Sequence, residues 1–385
     1  MSNELKAQME AIDRSTLTPL VRRTLGSEAV EVIDWDYRQL HVGAGMISSI
    51  YRYSGKGRDG DETVPWSLIL KAIRVLQGAQ DPSNVVYDWK REVLAYQSGL
   101  LDNLPGGLAA PKCCGVAEQP GRGVWLWLED VADELGAHWP LEHYGVVARQ
   151  LGQFNGAYLV GEPLPSAPWL SQGWLRAYVE QAAPAIAQLR GSLEHPLVRR
   201  FLPGRIADDL LRLWAERETF LDALDRLPQT FCHLDAFRRN LFARRSPDGH
   251  VQTVAVDWAF VGIGAVGEEI VPLVQASVLI LEVELTRAQE LDEIVFQGYL
   301  DGLRDAGWHG DPRLVQLGYA AAGALRYFIG GAGKVVPWLL DEGRHPMAEQ
   351  IFGCPIGELM DLWAERLCLY LDLVEEARGL LDILR

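Results

Sequence analysis

The sequence predicts an α+β chain of two lobes, a small β-rich N-terminal lobe followed by a large helical one. A chain of 385 residues that is 48% hydrophobic is two to three times the commonest domain size and calls for more than one core. Runs rich in β-branched and aromatic residues crowd the first third, whereas helical spacing of apolar residues dominates from Val131 onward. The expected division is therefore 1–130, a lobe with an N-terminal helical extension, and 131–385.

Element by element, Leu5, Met9, Ile12, Leu20 and Leu25 recur at helical spacing, and Pro19 predicts a break in that helix. Strands are expected over 32–41 and 49–53, flanking the glycine turn HVGAGMISS, and the polar SGKGRDGDETVP that follows reads as a loop. WSLILKAIRV (66–75) is a third strand with Lys71 embedded in it, 86–101 a helix closed by Leu-Pro-Gly-Gly, and 112–117 and 124–128 two more strands. Helices are then expected at 141–159, 169–190, 206–227, 268–281, 286–306, 312–328 and from 355 onward, split by a β insert over 231–260. No repeat or low-complexity linker interrupts the series.

With 36 Lys and Arg against 52 Asp and Glu, the net charge of −16 opposes polyanions, so neither nucleic acid nor an anionic membrane is an expected partner. The first lobe has 14 basic and 17 acidic residues and the second 22 and 35. That asymmetry suits a cationic ligand in the second lobe, and solvated acidic helices explain it equally well. No segment reaches the roughly 18 uninterrupted apolar residues of a membrane span, and the start lacks the apolar run of a secretion signal, so a cytoplasmic location is expected. Five cysteines without CxxC spacing (Cys113, Cys114, Cys232, Cys354, Cys368) read as reduced thiols, with packing favoured over zinc for the adjacent pair.

Chemistry concentrates in the β insert, FCHLDAFRRNLF, a turn at SPDGH, then TVAVDWAF. A carboxylate after an apolar strand, Asp257, together with the carboxamide of Asn240 on a preceding loop, gathers oxygen ligands for magnesium, whose shell an anionic substrate such as a nucleotide phosphate completes. Asp235, five residues before Asn240, then stands beside the metal as acceptor of a hydroxyl proton.

HxDxxxxN followed by a strand ending in Asp resembles the catalytic and metal loops of the aminoglycoside phosphotransferase and choline kinase superfamily, which has the protein kinase-like fold. CHLDAFRRNLF stands where that family shows HGDLHPGNLL, and AVDWAFVGIGAVGEEI, with Gly262, Gly264 and Gly267, where it shows IDWEDAGLGDPAYDLA. The resemblance implies ATP or GTP with Mg2+ as cofactors, Asp235 as the catalytic residue, and Asn240 and Asp257 as metal ligands. Upstream, HVGAGMISSIYRY matches a phosphate-covering loop, with Gly43, Gly45, Ser48 and Ser49 as candidate contacts. Lys71 in LILKAIRV and Glu92 in REVLAY match the lysine and glutamate pair that positions the α- and β-phosphates. VWLWLEDV resembles the family's hinge, whose backbone meets adenine near Glu129 to Val131. The implied activity is transfer of a γ-phosphoryl group to a hydroxyl of a small molecule, a cationic one among the options. A nucleotide-binding module without turnover is the alternative.

The sequence departs from the pattern at Leu234, Phe237, Arg238 and Arg239, which replace Gly, His, Pro and Gly and bear on loop shape and local charge. Asn155 stands where relatives often carry histidine, and Glu268 and Glu269 where aspartate is usual. Plain readings stay beside the sharp ones. Lys71 read alone is a snorkelling lysine. His233 reads as a loop-fixing residue rather than a base, and Arg238 and Arg239 as either charge-stabilising or solvent-facing. Most of the 13 tryptophans read as helix packing, and Asp341 and Glu342 beside Trp338 as candidate holders of a cation. Neither the acceptor nor the oligomeric state has a readable motif.

Overall fold

The computed structural model describes residues 3–42, 48–75, 88–136, 138–246 and 249–384. Two short helices, α1 (Asn3–Glu10) and α2 (Arg14–Leu25), precede a sheet of β1 (Glu31–Val42), β2 (Ser48–Asp59), β3 (Glu62–Arg74), β5 (Cys113–Gln119) and β6 (Gly123–Glu129). Helix α3 (Arg91–Gln97) and the short β4 (Leu108–Ala109) lie between β3 and β5. The sheet order is β1-β2-β3-β6-β5, every pair antiparallel. The helical break falls at Asp13, not Pro19: the Asp13 carboxylate caps α2 by accepting from the Thr16 N–H at 2.9 Å, and Pro19 is accommodated inside α2.

The polar run read as a loop is instead the distal half of a hairpin. β2 and β3 stay paired out to Asp59 and Glu62, with Gly60 taking a left-handed φ of +61° in the turn. Here the inward positions of β2 are glycines, half-buried Gly55 and buried Gly57, so the apolar alternation that signals a strand is missing. Nearer the core the alternation is strict. Tyr51, Tyr53, Leu68, Leu70 and Trp127 face α1 and α2, while Ile73 on the other face packs with Val93 of α3 and Val124.

Beyond the sheet come α4 (Leu141–Val160), β7 (Ser171–Gln172), α5 (Trp174–Glu180), α6 (Ala183–Ser192), α7 (Pro196–Phe201) and α8 (Ile206–Arg226). The insert follows as β8 (Gln229–Cys232), β9 (Leu241–Arg245), β10 (Val251–Ala255) and β11 (Gly262–Ala265). Helices α9 (Val271–Leu279), α10 (Ala288–Asp305), α11 (Pro312–Gly323), α12 (Gly330–Leu339), α13 (His345–Phe352) and α14 (Ile356–Leu380) complete the chain, with a π-helical segment (Ala324–Ile329) joining α11 to α12. The fold is thus α+β, an antiparallel sheet followed by a mostly helical region. The expected helix at 169–190 is two helices, and the one at 86–101 is only the seven residues of α3, with 76–87 outside the described residues.

The largest core joins these helices and also takes in Tyr96, Leu108, Leu126 and Leu128, so α3 and one face of the sheet are packed onto the helical region. The insert lies against that junction. β4 pairs with β10 in parallel, and β7 pairs with β11, which fixes the polar loops of the insert beneath the sheet face that carries Lys71. No helix among the described residues is long and apolar enough to cross a membrane, and all five cysteines are free thiols.

Candidate active site

Lys71 lies opposite Ile50 and Leu126 in the sheet and is 6% exposed, a burial that an ammonium tolerates only with charged partners. It has two: Nζ is 2.5 Å from Glu92 Oε2 on α3 and 2.6 Å from Asp257 Oδ1 just after β10. Burial opposes the charge of Lys71, but the two carboxylates outweigh it and its pKa stands above the ordinary lysine value. Burial pushes the Glu92 carboxyl up against the pull of Lys71. At half-buried Asp257 burial also pushes up, but Lys71 wins and the carboxyl is held low. Asp257 adopts the left-handed conformation, φ 63° and ψ 62°, which turns its carboxylate back toward Lys71 instead of along the strand.

The second group sits on the loop after β8. Asp235 Oδ2 accepts from Asn240 Nδ2 at 3.1 Å, and the same amide donates to the Asp235 carbonyl at 3.0 Å. His233 is fully buried and fixes the loop. Its Nδ1 accepts the Asp235 N–H at 3.2 Å, which leaves Nε2 to donate to the Val256 carbonyl at 2.9 Å. The Val256 N–H in turn donates to the Asn240 carbonyl at 2.8 Å, so the strand that ends in Asp257 is clamped to the loop that carries Asp235 and Asn240. Through these bonds Lys71, Glu92, Asp235, Asn240 and Asp257 form one continuous polar site from three distant stretches of chain. Burial lowers the His233 pKa, in keeping with a neutral loop-fixing ring.

Asn240 and Asp257 offer one amide oxygen and one carboxylate, a hard-oxygen pair that suits magnesium and leaves most of its shell to phosphates and water. Of the other sequence candidates, Ser48 shares the sheet face of Lys71 and Ile50, and Gly43 and Gly45 lie outside the described residues. Ser49 is a correction. Strand alternation puts it with Tyr51 on the opposite face, 1% exposed, so it is withdrawn as a phosphate contact. Glu129 ends β6 with its carboxylate on Arg244 at 2.8 Å and the Lys112 N–H at 3.1 Å, and Val131 is buried, so neither side chain is free for a ligand and only the backbone of this segment is left to offer one hydrogen bonds.

The substituted loop is held by new partners. Arg238 is buried, its Nη2 on Asp133 at 2.7 Å and Nη1 on the Leu241 carbonyl at 3.1 Å, and it lies 4.0 Å over the Trp139 ring. It ties the loop to the segment after β6, while Arg239 lies outward on Glu282. Asn155, fully buried on α4, donates to the Phe231 carbonyl and accepts from the Tyr299 hydroxyl, both at 2.8 Å, and so anchors β8 from below. The residue that sequence reasoning missed is Arg326, in the π-helical segment. Its Nη2 is 2.6 Å from Asp235 Oδ1 and its Nη1 2.6 Å from the Leu234 carbonyl. The partners are 91 and 92 positions upstream, and no spacing in AAGALRYFIGG hints at them.

A choline kinase from Cryptosporidium parvum matches over 96% of this chain and 98% of its own, with 13% identity and a TM-score of 0.53. The chain has the choline kinase fold. An ethanolamine kinase from Plasmodium vivax shares this choline kinase fold over 97% of this chain and 95% of its own, with 11% identity and a TM-score of 0.51. An amicoumacin kinase in complex with AMP-PNP, Ca2+ and Ami does so over 94% and 96%, with 14% identity and a TM-score of 0.50. Neither a family model nor a curated sequence matches the chain.

Behind the loop, Glu269 Oε2 accepts the His233 N–H at 2.7 Å, and Glu268 accepts from the Trp174 indole at 3.1 Å and the Ala265 N–H at 3.1 Å. Burial pushes both carboxyls up from 4.5 to about 7. A carboxyl raised in this way holds a proton in the folded state that the unfolded chain has released. Its stabilisation is complete below the unfolded value and is lost as the pH rises toward about 7. Glu269→Gln keeps an oxygen for the His233 N–H and removes the titration. The fall in urea midpoint between pH 5 and pH 8 is therefore expected to be smaller in E269Q than in the wild type, and an unchanged fall would refute the assignment.

Proposed function

We propose that this protein is an ATP-dependent small-molecule kinase that transfers the γ-phosphoryl group to a hydroxyl, with Mg2+ as cofactor. In this reading residues 1–130 form the nucleotide lobe, 131–385 carry the catalytic loop and the acceptor site, and the protein works in the cytoplasm. The observation that carries the proposal is the convergence of Lys71, Glu92 and Asp257 at 2.5 and 2.6 Å with the Asp235–Asn240 pair clamped beside them. A hydrocarbon-lined gap or separate faces would have had no use for these charges. The amicoumacin kinase of the same fold, in complex with AMP-PNP and Ca2+, supports it.

In the proposed reaction Glu92 holds Lys71 so that its ammonium exchanges Asp257 for nucleotide phosphate oxygens. Asn240 and Asp257 hold magnesium, which neutralises charge on the triphosphate. Asp235 orients the acceptor hydroxyl for in-line attack and takes its proton as the new O–P bond forms. His233 keeps the Asp235 backbone in place through its ring nitrogens.

The test pairs calorimetry of MgATP binding with ADP release over a panel of amino alcohols, aminoglycosides, sugars, macrolides and hydroxy acids. Micromolar binding with turnover on at least one acceptor is expected. Absence of MgATP binding to folded protein would sink the kinase reading, and binding without turnover would leave a nucleotide-binding module.

A further inference from the structure

The sequence nominates Asp341 and Glu342 for a cationic acceptor, but the groups beside Asp235 carry the opposite charge. Asp341 lies beyond the C-terminal end of α12, and its carboxylate is paired with Arg344 at 2.8 Å. Arg326 itself touches the catalytic loop. The Asp235 carboxylate stands between two donors, Asn240 on Oδ2 and Arg326 on Oδ1, so Arg326 flanks Asp235 on the side away from the proposed metal ligands. The Arg326 and Asp235 side chains retain 13% and 18% exposure, enough for a ligand to reach them.

From Arg326 a row of rings leads outward. The guanidinium lies 4.8 Å from the centroid of the Trp174 ring, Trp174 is 5.6 Å from the Tyr178 ring, and Lys334 Nζ is 4.4 Å over Tyr178. Trp174 is buried and backs this row, so its accessible part is the half-buried Tyr178, with Arg326 on one side and the exposed Lys334 on the other. Apart from Asp235, which Arg326 already pairs, the acid behind this row is Glu268, which is buried on the Trp174 indole and pushed up to about 7, so it offers an incoming cation at most a partial charge.

Building on the kinase reading, we propose that the acceptor is an anion: a hydroxylated small molecule whose carboxylate or phosphate is held by Arg326 and Lys334, with its flat or apolar part on Tyr178. The guanidinium has five N–H donors in a planar fork, a geometry suited to an oxyanion. An acceptor oxyanion replaces Asp235 Oδ1 on Arg326 and frees that oxygen for the hydroxyl. The hydroxyl oxygen bonds to the γ-phosphorus as the bond from that phosphorus to the bridging oxygen of ADP breaks, and the proton passes to Asp235 and then to water. Arg326 is in this scheme both a binding residue for the acceptor and a positioning residue for Asp235.

The full-length protein is tested with MgATP on matched acceptors: aromatic and aliphatic hydroxy acids, sugar phosphates, their neutral analogues, and choline and kanamycin as cations. Turnover confined to acids or phosphates is expected, and the arm that responds identifies the oxyanion. Lys334→Gln lies on the exposed surface and away from Asp235, and it is expected to raise the acceptor KM about tenfold with kcat nearly unchanged, the loss of one charge-assisted contact. Arg326→Gln is expected to raise KM and lower kcat together, with added guanidinium restoring part of both. Turnover confined to cationic or neutral acceptors overturns the proposal, as does an unchanged KM in K334Q. Bound MgATP with no anionic member phosphorylated overturns it too, whereas failure to bind MgATP at all strikes the kinase reading instead.

Discussion

Asp235→Asn is expected to lower phosphoryl transfer by about 10²- to 10⁴-fold, the range for removing a positioned general base, while MgATP affinity changes little. Asp235 receives donors on both oxygens, Arg326 Nη2 at 2.6 Å and Asn240 Nδ2 at 3.1 Å, and only a carboxylate can accept from both at once. In the amide variant one of these donors must face an NH2 group. The loop then loses a contact as well as its base, at about 1–3 kcal/mol of stability for the unsatisfied group. Transfer is measured on any panel acceptor that the wild-type protein phosphorylates, affinity by calorimetry, and integrity by the urea midpoint. Retention of most activity would remove Asp235 from the proposed role. Loss of MgATP binding to the same degree as turnover would make it a nucleotide residue instead.

The fold class and the polar site differ in how far they could be read from the chain. A lysine amid the apolar LILKAIRV demands a charged partner whatever the fold, and the structure supplies two, Glu92 and Asp257. Asp235 and Asn240, five residues apart, are legible as one polar loop, and Asn240 Nδ2 donates to the Asp235 carboxylate at 3.1 Å. What stayed illegible depends on register or on distant packing. The side of the sheet that Ser49 faces follows from pairing with β3, and the distal hairpin escapes notice because Gly55 and Gly57 take its inward positions and leave no apolar periodicity. Arg326 is the extreme case. It reaches Asp235 only because α11 and α12 are joined through a π-helical segment and packed against α5, and nothing in the residues beside it announces that partner. Arg238 offers the same lesson in reverse, since this departure from the loop pattern is absorbed by Asp133 and Trp139 from an unrelated segment.

Lys71→Met is the second large effect expected, and here binding and stability should separate with pH. In the wild type one ammonium serves two carboxylates, 2.5 Å from Glu92 and 2.6 Å from Asp257, and Glu92 is 2% exposed. Methionine fills a similar volume but leaves both acids without their cation. Breaking a buried pair in this way costs about 3–5 kcal/mol when the remaining charge stays ionised. Glu92 has an escape. Burial already pushes its pKa above the usual carboxylate value, and without Lys71 the only strong opposing influence is gone, so in the variant it takes up a proton. A carboxyl whose folded pKa is raised gives stability that is complete below its unfolded pKa and is lost as pH climbs to the folded value. K71M should therefore lie close to the wild type in urea at pH 5 and well below it at pH 8, with the gap widening steadily between. MgATP binding and transfer should fail at both pH values, because protonating Glu92 restores the fold but supplies no cation for the phosphates. A constant stability gap across pH would mean that Glu92 is not the group that titrates. Wild-type affinity for MgATP in the variant would mean that Lys71 serves the fold alone.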